Sequence, residues 1–396
     1  MFGSLTIVVL AGLLGPLLAA GKRALIPVLV GELIAGVILG RTWIHLIHPS
    51  AQPFPAFMSI GFAMLMLSAG TEVDLASKQL RDGAIRGAVA LLVALVLSIP
   101  IGAGMSVALQ TGHPQLLIVL LAGSSAAVAF PIILERRLDG PAVAVLIAWM
   151  TLADALTALL MPLTLSGASR IPIAILGDAL IIAVAVAAVV VGHLLFQTPL
   201  AVEAIRESKH RSWALQLRIS VLLLLLLAAI SESTGASLLI AGFAAGIVLR
   251  QFHQPHRLVH QLTGLATGFF VPAFFVLLGA TLDMRSLFQS PSAIELAIAM
   301  ALGATVVHLA ASLAIGKKPR KASGLLASAQ LGLPAAAAAI GLANGALTPP
   351  IAAALVAGGL LTLIPASVGA AILARTSALG RPPAAATVPE EVHADA

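Results

Sequence analysis

The chain has 396 residues, of which 60% are hydrophobic and 10% are charged, and its mean hydropathy is +1.07. So few polar residues cannot cover the surface of a water-soluble domain, and the composition therefore predicts a protein that lies in a lipid bilayer. The absence of Cys excludes disulfides and thiolate metal sites, while the net charge of +6 is typical of basic cytoplasmic loops rather than of nucleic-acid binding.

Apolar runs separated by charged or Gly/Pro-rich breaks predict an all-α polytopic membrane protein with about 13 transmembrane helices, since each crossing needs about 20 residues. The first run is interpreted as a retained helix and not as a signal peptide, because no basic residue precedes it and Lys22 and Arg23 follow it. In chain order, the predicted spans 1 to 13 cover residues 3–20, 24–40, 56–71, 83–109, 115–134, 142–165, 173–196, 213–230, 234–250, 262–281, 293–315, 322–344 and 350–375.

The basic residues give an independent test of this count. If the N-terminus is outside, the loops after odd-numbered spans and the C-terminal tail face the cytoplasm, and they hold nineteen of the 22 Lys and Arg residues. Cytoplasmic loops of membrane proteins are enriched in these residues, so the bias supports both the count and the orientation. The three basic residues on the opposite side are Arg41, Arg170 and Arg285.

Two short motifs recur seven spans apart. Ala35-Gly-Val-Ile-Leu39 in span 2 resembles Ala245-Gly-Ile-Val-Leu249 in span 9, and Gly70-Thr-Glu-Val-Asp74 resembles Gly279-Ala-Thr-Leu-Asp283, at offsets of 210 and 209 residues. Because seven is odd, the second copy crosses the membrane in the opposite direction, as in transporters built from inverted repeats. The predicted organisation is a first repeat, a connector helix with a cytoplasmic loop, a second repeat and a disordered cytoplasmic tail, over residues 1–172, 173–212, 213–379 and 380–396.

Spans 5 and 12, which the repeat pairs with each other, both contain helix-breaking residues. Span 5 carries Gly123-Ser124-Ser125 and Pro131, and span 12 carries Gly332-Leu333-Pro334. Proline breaks the helical hydrogen-bond ladder, and unwound backbone at that depth is tolerated only inside protein or along a cavity. Ordinary kinks are the alternative, but two matched interruptions favour crossed, broken helices that flank a binding site near the midplane.

Asp154 lies in the middle of span 6, with no basic residue near it in the sequence. An acid inside the bilayer is costly and marks proton and ion pathways. A carboxylate that binds either a proton or a cation, but not both at once, is the minimum machinery for exchange. The alternative is a structural acid that is capped by a hydroxyl such as that of Thr151 or Thr157.

Two further ionisable residues fall within predicted spans. Glu32 in span 2 has glycine neighbours, so a buried hydrogen-bonded acid and a transport role are equally supported. His308 in span 11 could pair with an acid or modulate the response to pH, although a satisfied core histidine is the more common arrangement. We name Glu32, His308 and Pro334 as candidate modulators of transport.

Other functional classes find little support in the sequence. Walker, GxSxG, HExxH and Rossmann motifs are all absent, so we predict neither an enzyme nor a bound cofactor. Three histidines share the loop after span 9, but no acid or Cys completes a ligand set, so no metal site is predicted at His253, His256 and His260.

The order and spacing of several segments resemble the monovalent cation:proton antiporter-2 family over nearly the whole chain. The segments are Ile26-Pro-Val-Leu-Val-Gly-Glu-Leu-Ile-Ala-Gly-Val-Ile-Leu-Gly40, Leu67-Ser-Ala-Gly-Thr-Glu-Val-Asp74, Ala122-Gly-Ser-Ser-Ala-Ala-Val128, Gly235-Ala-Ser-Leu-Leu-Ile-Ala-Gly-Phe-Ala-Ala-Gly246 and Val271-Pro-Ala-Phe-Phe-Val-Leu-Leu-Gly279. The resemblance implies the sodium/proton antiporter fold, a homodimer with crossed unwound helices in each protomer, and exchange by an elevator-like movement. It also implies that Asp154 is the family's ion-binding carboxylate, and that Ser124 and Ser125 lie in its first unwound segment.

Three positions depart from the pattern of that family. Ala153 stands where the family usually has Asn, Asp or Gln, His308 stands where it often has a basic residue, and Leu331-Gly-Leu-Pro334 replaces an arginine-glycine-acid motif. The nucleotide-binding domain of Kef-type relatives has no counterpart in this sequence. A single carboxylate without a polar neighbour favours one-for-one, electroneutral exchange.

The sequence therefore predicts a secondary transporter that exchanges protons for Na⁺, Li⁺ or K⁺ at Asp154. Hard cations prefer oxygen ligands, which Ser124, Ser125, Thr151 and nearby carbonyls would supply. The alternatives are a sodium- or proton-coupled symporter of organic anions with the same fold, and a gated cation channel or signalling protein. Its expected partners are these cations, protons, lipid and a second copy of the chain, in a bacterial inner membrane.

Overall fold

The computed structural model describes residues 2–20, 28–72, 78–125, 133, 141–165, 171–211, 213–234, 236, 238–251, 261–262, 264–316 and 320–379. Every regular element within these ranges is a helix, as predicted. Pro131, the histidine loop 252–260 and the tail 380–396 lie outside the described residues.

The first half of the chain folds into helices that match predicted spans 1 to 7. In chain order they are α1 (Phe2–Gly12), α2 (Leu14–Ala19), α3 (Val28–Leu39), α4 (Phe54–Glu72), α5 (Lys78–Ala108), α6 (Pro114–Ala122), α7 (Pro141–Leu165) and α8 (Ile171–Phe196). Span 1 comprises two helices, because Pro16 has no N–H to continue the ladder at Gly12 and the chain bends at Leu13.

The second half follows the same plan with shorter elements. In chain order they are α9 (Pro199–His210), α10 (Leu215–Thr234), α11 (Leu238–Gln251), a π-helical turn (Ala266–Phe270) leading into α12 (Val271–Thr281), α13 (Met284–Gln289), α14 (Pro291–Ala311) with a 3₁₀ turn (Ser312–Ile315), α15 (Arg320–Ala327), α16 (Gly332–Ala343), α17 (Pro349–Leu361) and α18 (Leu363–Leu379). Span 13 divides at Thr362 for the reason that divides span 1, because Pro365 cannot bond to Leu361.

Within the described residues, eight helical stretches are long and apolar enough to cross a membrane. The other predicted spans correspond to the shorter apolar helices α1 with α2, α3, α6, α11 and α12. The structure therefore confirms a multi-pass helical architecture, while the total of thirteen crossings stays a prediction.

The segment after span 7, which the sequence analysis assigned to a loop, contains the helix α9. Its first turn is capped by Thr198, whose hydroxyl accepts the Ala201 N–H at 3.3 Å, and Pro199 occupies the first helical position. Apolar residues and the pairs Glu203–Arg206 and Glu207–Arg211 give it an amphipathic character. Such a helix suits the interface between membrane and water.

Glycines of the two repeated motifs bring four helices into close contact. A β-carbon added to Gly36 on α3 would collide with the Val276 carbonyl of α12, and one added to Gly279 would lie 3.1 Å from the Gly36 Cα. In the same way, a β-carbon on Gly246 of α11 would lie 2.8 Å from the Cα of Gly70 on α4. We call α3, α4, α11 and α12 the glycine-packed helices, because their backbones meet with no side chain between them.

The two glycine contacts are related by the sequence repeat. The motif offsets of 210 and 209 pair Gly36 with Gly246 and Gly70 with Gly279. If each glycine is replaced by its equivalent in the other repeat, the Gly36–Gly279 contact becomes the Gly246–Gly70 contact. This is the relation that an inverted repeat requires, and the residue limits proposed for the two repeats stay predictions.

A second group of helices packs around α7 and α14. This helix α7 packs against α5, α6, α15 and α16, and α14 packs against α5, α6 and α17. One buried apolar cluster includes Trp149 and Ala153 from α7 together with Val307 and Leu331. The apolar packing therefore holds the helix of Asp154 beside the two interrupted spans.

Candidate functional site

Both predicted interruptions are present in the structure. α6 ends at Ala122, and the chain then continues in an extended conformation at Gly123 (φ −68°, ψ 156°). On the second side, α15 ends at Ala327 and α16 begins at Gly332, so residues 328–331 form a break between two half-helices. We call residues 123–125 and 328–331 together the crossing.

Hydrogen bonds join the two breaks to each other. The Ser125 N–H donates to the Ala329 carbonyl at 2.8 Å, and the Ser124 hydroxyl donates to the Ala327 carbonyl at 2.7 Å. From the other direction, the Gln330 side chain donates through Nε2 to the Gly123 carbonyl at 2.7 Å. Unwound backbone must satisfy its polar groups inside the protein, and here each break satisfies the other. The predicted crossed, broken helices are thus confirmed.

Pro334 lies just beyond the break rather than within it. It is the third residue of α16, where a helix has no internal acceptor for the N–H that proline lacks. Proline is therefore compatible with the start of this half-helix. The interruption predicted from Gly332-Leu333-Pro334 lies about one turn later than residues 328–331, where the break occurs.

Asp154 is half-buried near the middle of α7, a helix that packs against α6, α15 and α16. Thr151, one turn earlier, is buried. The Thr157 hydroxyl donates to the Ala153 carbonyl of the same helix at 2.7 Å. The structure thus places Asp154 and Thr151 on a helix that contacts both half-helices of the crossing.

His308 lies in the same region on α14 and is completely buried. Its Nδ1 lies 2.8 Å from the Ala304 carbonyl, and the ring is also beside the Gly123 carbonyl of the crossing. Trp149 of α7 stacks on it with ring centroids 5.3 Å apart and planes inclined by 21°. His308 therefore connects the helix of Asp154 to the crossing through packing and does not stand alone in the core.

Glu32 lies apart from this cluster. It is buried on α3, which packs against α1, α2 and α12, and its stem lies close to Gly15 of α2. Within the described residues, its Oε2 has no hydrogen-bond partner. Glu32 thus belongs with the glycine-packed helices and not with the crossing.

Gln330 in the crossing and Thr362 beside it were not predicted from the sequence. Gln330 is buried, and its N–H donates to the Thr362 hydroxyl at 2.9 Å across the break between α17 and α18. The Thr362 hydroxyl in turn donates to the Gly359 carbonyl at 2.6 Å. The available signal was a polar side chain inside an otherwise apolar span, two residues before a Gly-Leu-Pro sequence.

Asp178 is a second acid within an apolar helix that the sequence analysis passed over. It is buried on α8, three residues from the start of the apolar stretch Ile175–Leu195. The preceding Gly177 faces Thr234 at the end of α10. Asp178 therefore lies near one end of its helix, whereas Asp154 lies near the middle of α7.

The chain is similar to known transporters in sequence and in structure. The family model described as sodium/hydrogen exchanger, transmembrane, matches residues 7–375. Among curated proteins, the putative Na⁺/H⁺ antiporter YjbQ of Bacillus subtilis (strain 168) is 26% identical over 367 residues, which cover 85% of this chain and 57% of that protein. The Na⁺/H⁺ antiporter NhaS5 of Synechocystis sp. is 27% identical over 275 residues, which cover 66% of this chain and 37% of that protein.

A solved structure of the sodium proton antiporter MjNhaP1 from Methanocaldococcus jannaschii at pH 8 has the same fold. The superposition has a TM-score of 0.60 at 21% sequence identity and covers 96% of this chain and 99% of that one. The chain thus matches the full length of this neighbour, but it spans little more than half of YjbQ and less than half of NhaS5.

Proposed function

The chain belongs to the sodium/hydrogen exchanger family, and from that membership we propose that it exchanges protons for Na⁺, Li⁺ or K⁺ across a membrane at Asp154. The motif order given above supports a place in the monovalent cation:proton antiporter-2 branch of such proteins. The distribution of basic residues supports an external N-terminus and a cytoplasmic C-terminus. A homodimer in the bacterial inner membrane completes the proposal.

The observation that carries this proposal is the crossing, which lies against α7, the helix that carries Asp154. Breaking two helices inside the bilayer is costly, and transporters accept that cost where unwound backbone lines a substrate site. Carbonyls and half-helix ends at such a break offer partial charges to an ion. Asp154 adds the full negative charge that either a proton or a cation can neutralise.

The hydroxyls of Ser124, Ser125 and Thr151 suit the proposed binding of a small cation. The Ser124 hydroxyl uses its one hydrogen to bond to the Ala327 carbonyl, which leaves its oxygen lone pairs to accept or to coordinate. Thr151 lies one turn before the acid, and Ser125 follows Ser124 in the same extended segment. Alkali cations prefer oxygen ligands of this kind.

A single carboxylate implies a simple stoichiometry. Ala153, the neighbour of Asp154, carries no polar side chain, and it is completely buried. One site that holds one proton or one cation in turn moves one charge in each direction. The exchange is therefore proposed to be electroneutral.

Proton flux in proteoliposomes tests the proposal. A pH gradient is imposed, Na⁺, Li⁺, K⁺ and Cs⁺ are added in turn, and the wild type is compared with Asp154→Asn, which keeps the size of the side chain and removes its charge. We expect the gradient to collapse with at least one cation in the wild type and to persist in the variant. Asp178→Asn is the matched control, because it removes another buried acid from an apolar helix, and it should retain the exchange.

Two results would contradict the proposal. One is a correctly folded wild type that responds to none of the four cations. That result would favour the alternative function, coupled uptake of organic anions. The other is equal exchange in Asp154→Asn and the wild type. Monodisperse elution of each variant in detergent establishes that the compared proteins are folded.

A further inference from the structure

Gln330 lies where three interruptions of the helical structure meet. Its side chain reaches the end of α6 through Gly123, its own segment joins α15 to α16, and its backbone N–H bonds to Thr362 between α17 and α18. The residue is 1% exposed.

The two ends of the Gln330 amide have different surroundings. Nε2 donates to the Gly123 carbonyl at 2.7 Å, and this bond assigns the nitrogen and the oxygen, since a carbonyl accepts only from the nitrogen end. Oε1 is buried and has no hydrogen-bond partner within the described part of the chain. Buried polar atoms are nearly always paired, so an unpaired oxygen that is fixed in direction calls for a functional explanation.

An amide oxygen at this position has the chemistry of a cation ligand. It is hard and uncharged, as are the carbonyl and hydroxyl oxygens that alkali and alkaline-earth cations select. Being neutral, it can contribute to binding without changing how many charges cross the membrane. On α7 the residue next to Asp154, Ala153, has no oxygen in its side chain.

We propose that Gln330 Oε1 is a further ligand of the transported cation and that it determines which alkali cation the site prefers. This inference rests on the proposed function. The bond from Nε2 to the Gly123 carbonyl holds the amide oxygen at a fixed place relative to the other break, so the size of the cation decides how well the oxygen reaches it. In this proposal, Asp154 provides the negative charge that binds the cation, and Gln330 determines which alkali cation is preferred.

The experiment measures the binding of Li⁺, Na⁺ and K⁺ chlorides separately, from the cation-dependent rise in melting temperature of the purified full chain in detergent. Gln330→Met keeps the length of the side chain and removes both amide groups, and Gln330→Glu keeps oxygen ligands and removes the donor to Gly123. Thr362→Val is the matched control, since it breaks the backbone tie of the same residue and leaves the amide in place. Gln330→Asn serves as a second variant if Gln330→Met does not fold.

We expect Gln330→Met to change the ratio of the Li⁺ and K⁺ affinities by about tenfold, which corresponds to about 1.4 kcal/mol. Gln330→Glu should strengthen the binding of every cation that the wild type binds, because it adds a negative charge. Thr362→Val should lower the melting temperature and leave the affinity ratio at its wild-type value.

The outcomes separate this inference from the function on which it rests. If wild type binds cations and Gln330→Met keeps the wild-type ratio while losing stability, Gln330 is a structural residue and the inference is wrong, although exchange at Asp154 stands. If Thr362→Val changes the ratio as much as Gln330→Met, the amide oxygen is not the determinant. If no cation stabilises the wild type, both the inference and the proposed cation site fail.

Discussion

The glycine-packed helices and the crossing are both buried, and their interiors are built on opposite principles. Between α4 and α11 the backbones meet at Gly70 and Gly246 with no polar side chain between them. At the crossing, the helices are broken, and Ser124 and Gln330 hold the two breaks together through side-chain hydrogen bonds. The first arrangement gains stability from contact alone, and the second gives up helical hydrogen bonds that must be replaced one by one.

This difference indicates which region is a frame and which is a site. Closely packed backbones cannot adjust gradually to an added side chain, because neighbouring carbonyls cannot make room for its atoms. A substitution there either fits or disrupts the contact. A hydrogen-bonded crossing can exchange partners at a modest cost, which a transporter needs if it is to open alternately to the two sides. Substitutions should therefore affect folding in the glycine-packed helices and transport at the crossing.

Gly246→Leu gives the largest expected effect and tests the frame directly. A β-carbon at Gly246 would collide with the Leu67 carbonyl and would lie 2.8 Å from the Gly70 Cα, and neither atom can move without moving α4. Overpacking of this kind typically costs about 1–3 kcal/mol for a few added carbons, so we expect a loss of most folded protein. The measurements are the monodisperse yield in detergent and the melting temperature.

Gly104→Leu is the matched control for that substitution. Gly104 lies on α5 in another apolar span, and within the described residues nothing outside its own stretch of helix lies within 4 Å of the β-carbon that would be added there. Leu is also a better helix former than Gly, by about 0.8 kcal/mol. If both variants fold equally well, close contact is not what stabilises the glycine-packed helices, and the contrast with the crossing disappears.

Hydropathy predicted the positions of most helices, because a helix that crosses a membrane depends on composition over many residues. Hydropathy predicts span 4 over residues 83–109, and the helix runs over Lys78–Ala108. The repeated glycine motifs were also visible in the sequence, although not the contacts that they make. Two sequence signals for the helix α9 were available. Thr198-Pro199 is a typical helix start, and Glu203 and Arg206 have the i, i+3 spacing of an ion pair on a helix.

The details of the crossing could not be predicted in the same way. The bond from Gln330 to Gly123 joins residues 207 positions apart, and local sequence carries no information about such a pairing. The same is true of Thr362, whose role depends on Gln330 being its neighbour in space. A break in a helix can be read from Gly and Pro, whereas the partners that satisfy the break are fixed only by the fold.

Ser124→Ala is expected to have a smaller effect on stability than Gly246→Leu and a larger one on transport. It removes the 2.7 Å hydrogen bond to Ala327, which is worth about 1 kcal/mol, and leaves that carbonyl without this donor. Because the same oxygen is proposed to bind the cation, we expect exchange to fall by about tenfold or more in proteoliposomes. The melting temperature should change by only a few degrees.

Ser98→Ala provides the comparison for that result. Ser98 is also buried and also donates to a carbonyl at 2.7 Å, but its acceptor is Leu95 of its own helix α5. A similar loss of stability with unchanged exchange would show that the bond between the two breaks has a special role. Equal losses of exchange in Ser98→Ala and Ser124→Ala would contradict the functional distinction between the crossing and its surroundings.

Arg206→Ala on α9 should have the smallest effect, because this residue lies outside both regions. Arg206 pairs with Glu203 at 2.6 Å, but the two side chains are 74% and 60% exposed, and water screens their attraction. Exposed pairs of this spacing contribute about 0.2–0.5 kcal/mol, so Arg206→Ala, Glu203→Ala and the double variant should all melt close to the wild type and retain its exchange. A coupling above about 1 kcal/mol in this cycle would contradict that expectation. It would mean that α9 is held in a fixed position on the protein, and the division into a glycine-packed frame and a hydrogen-bonded site would then need a third element at the membrane surface.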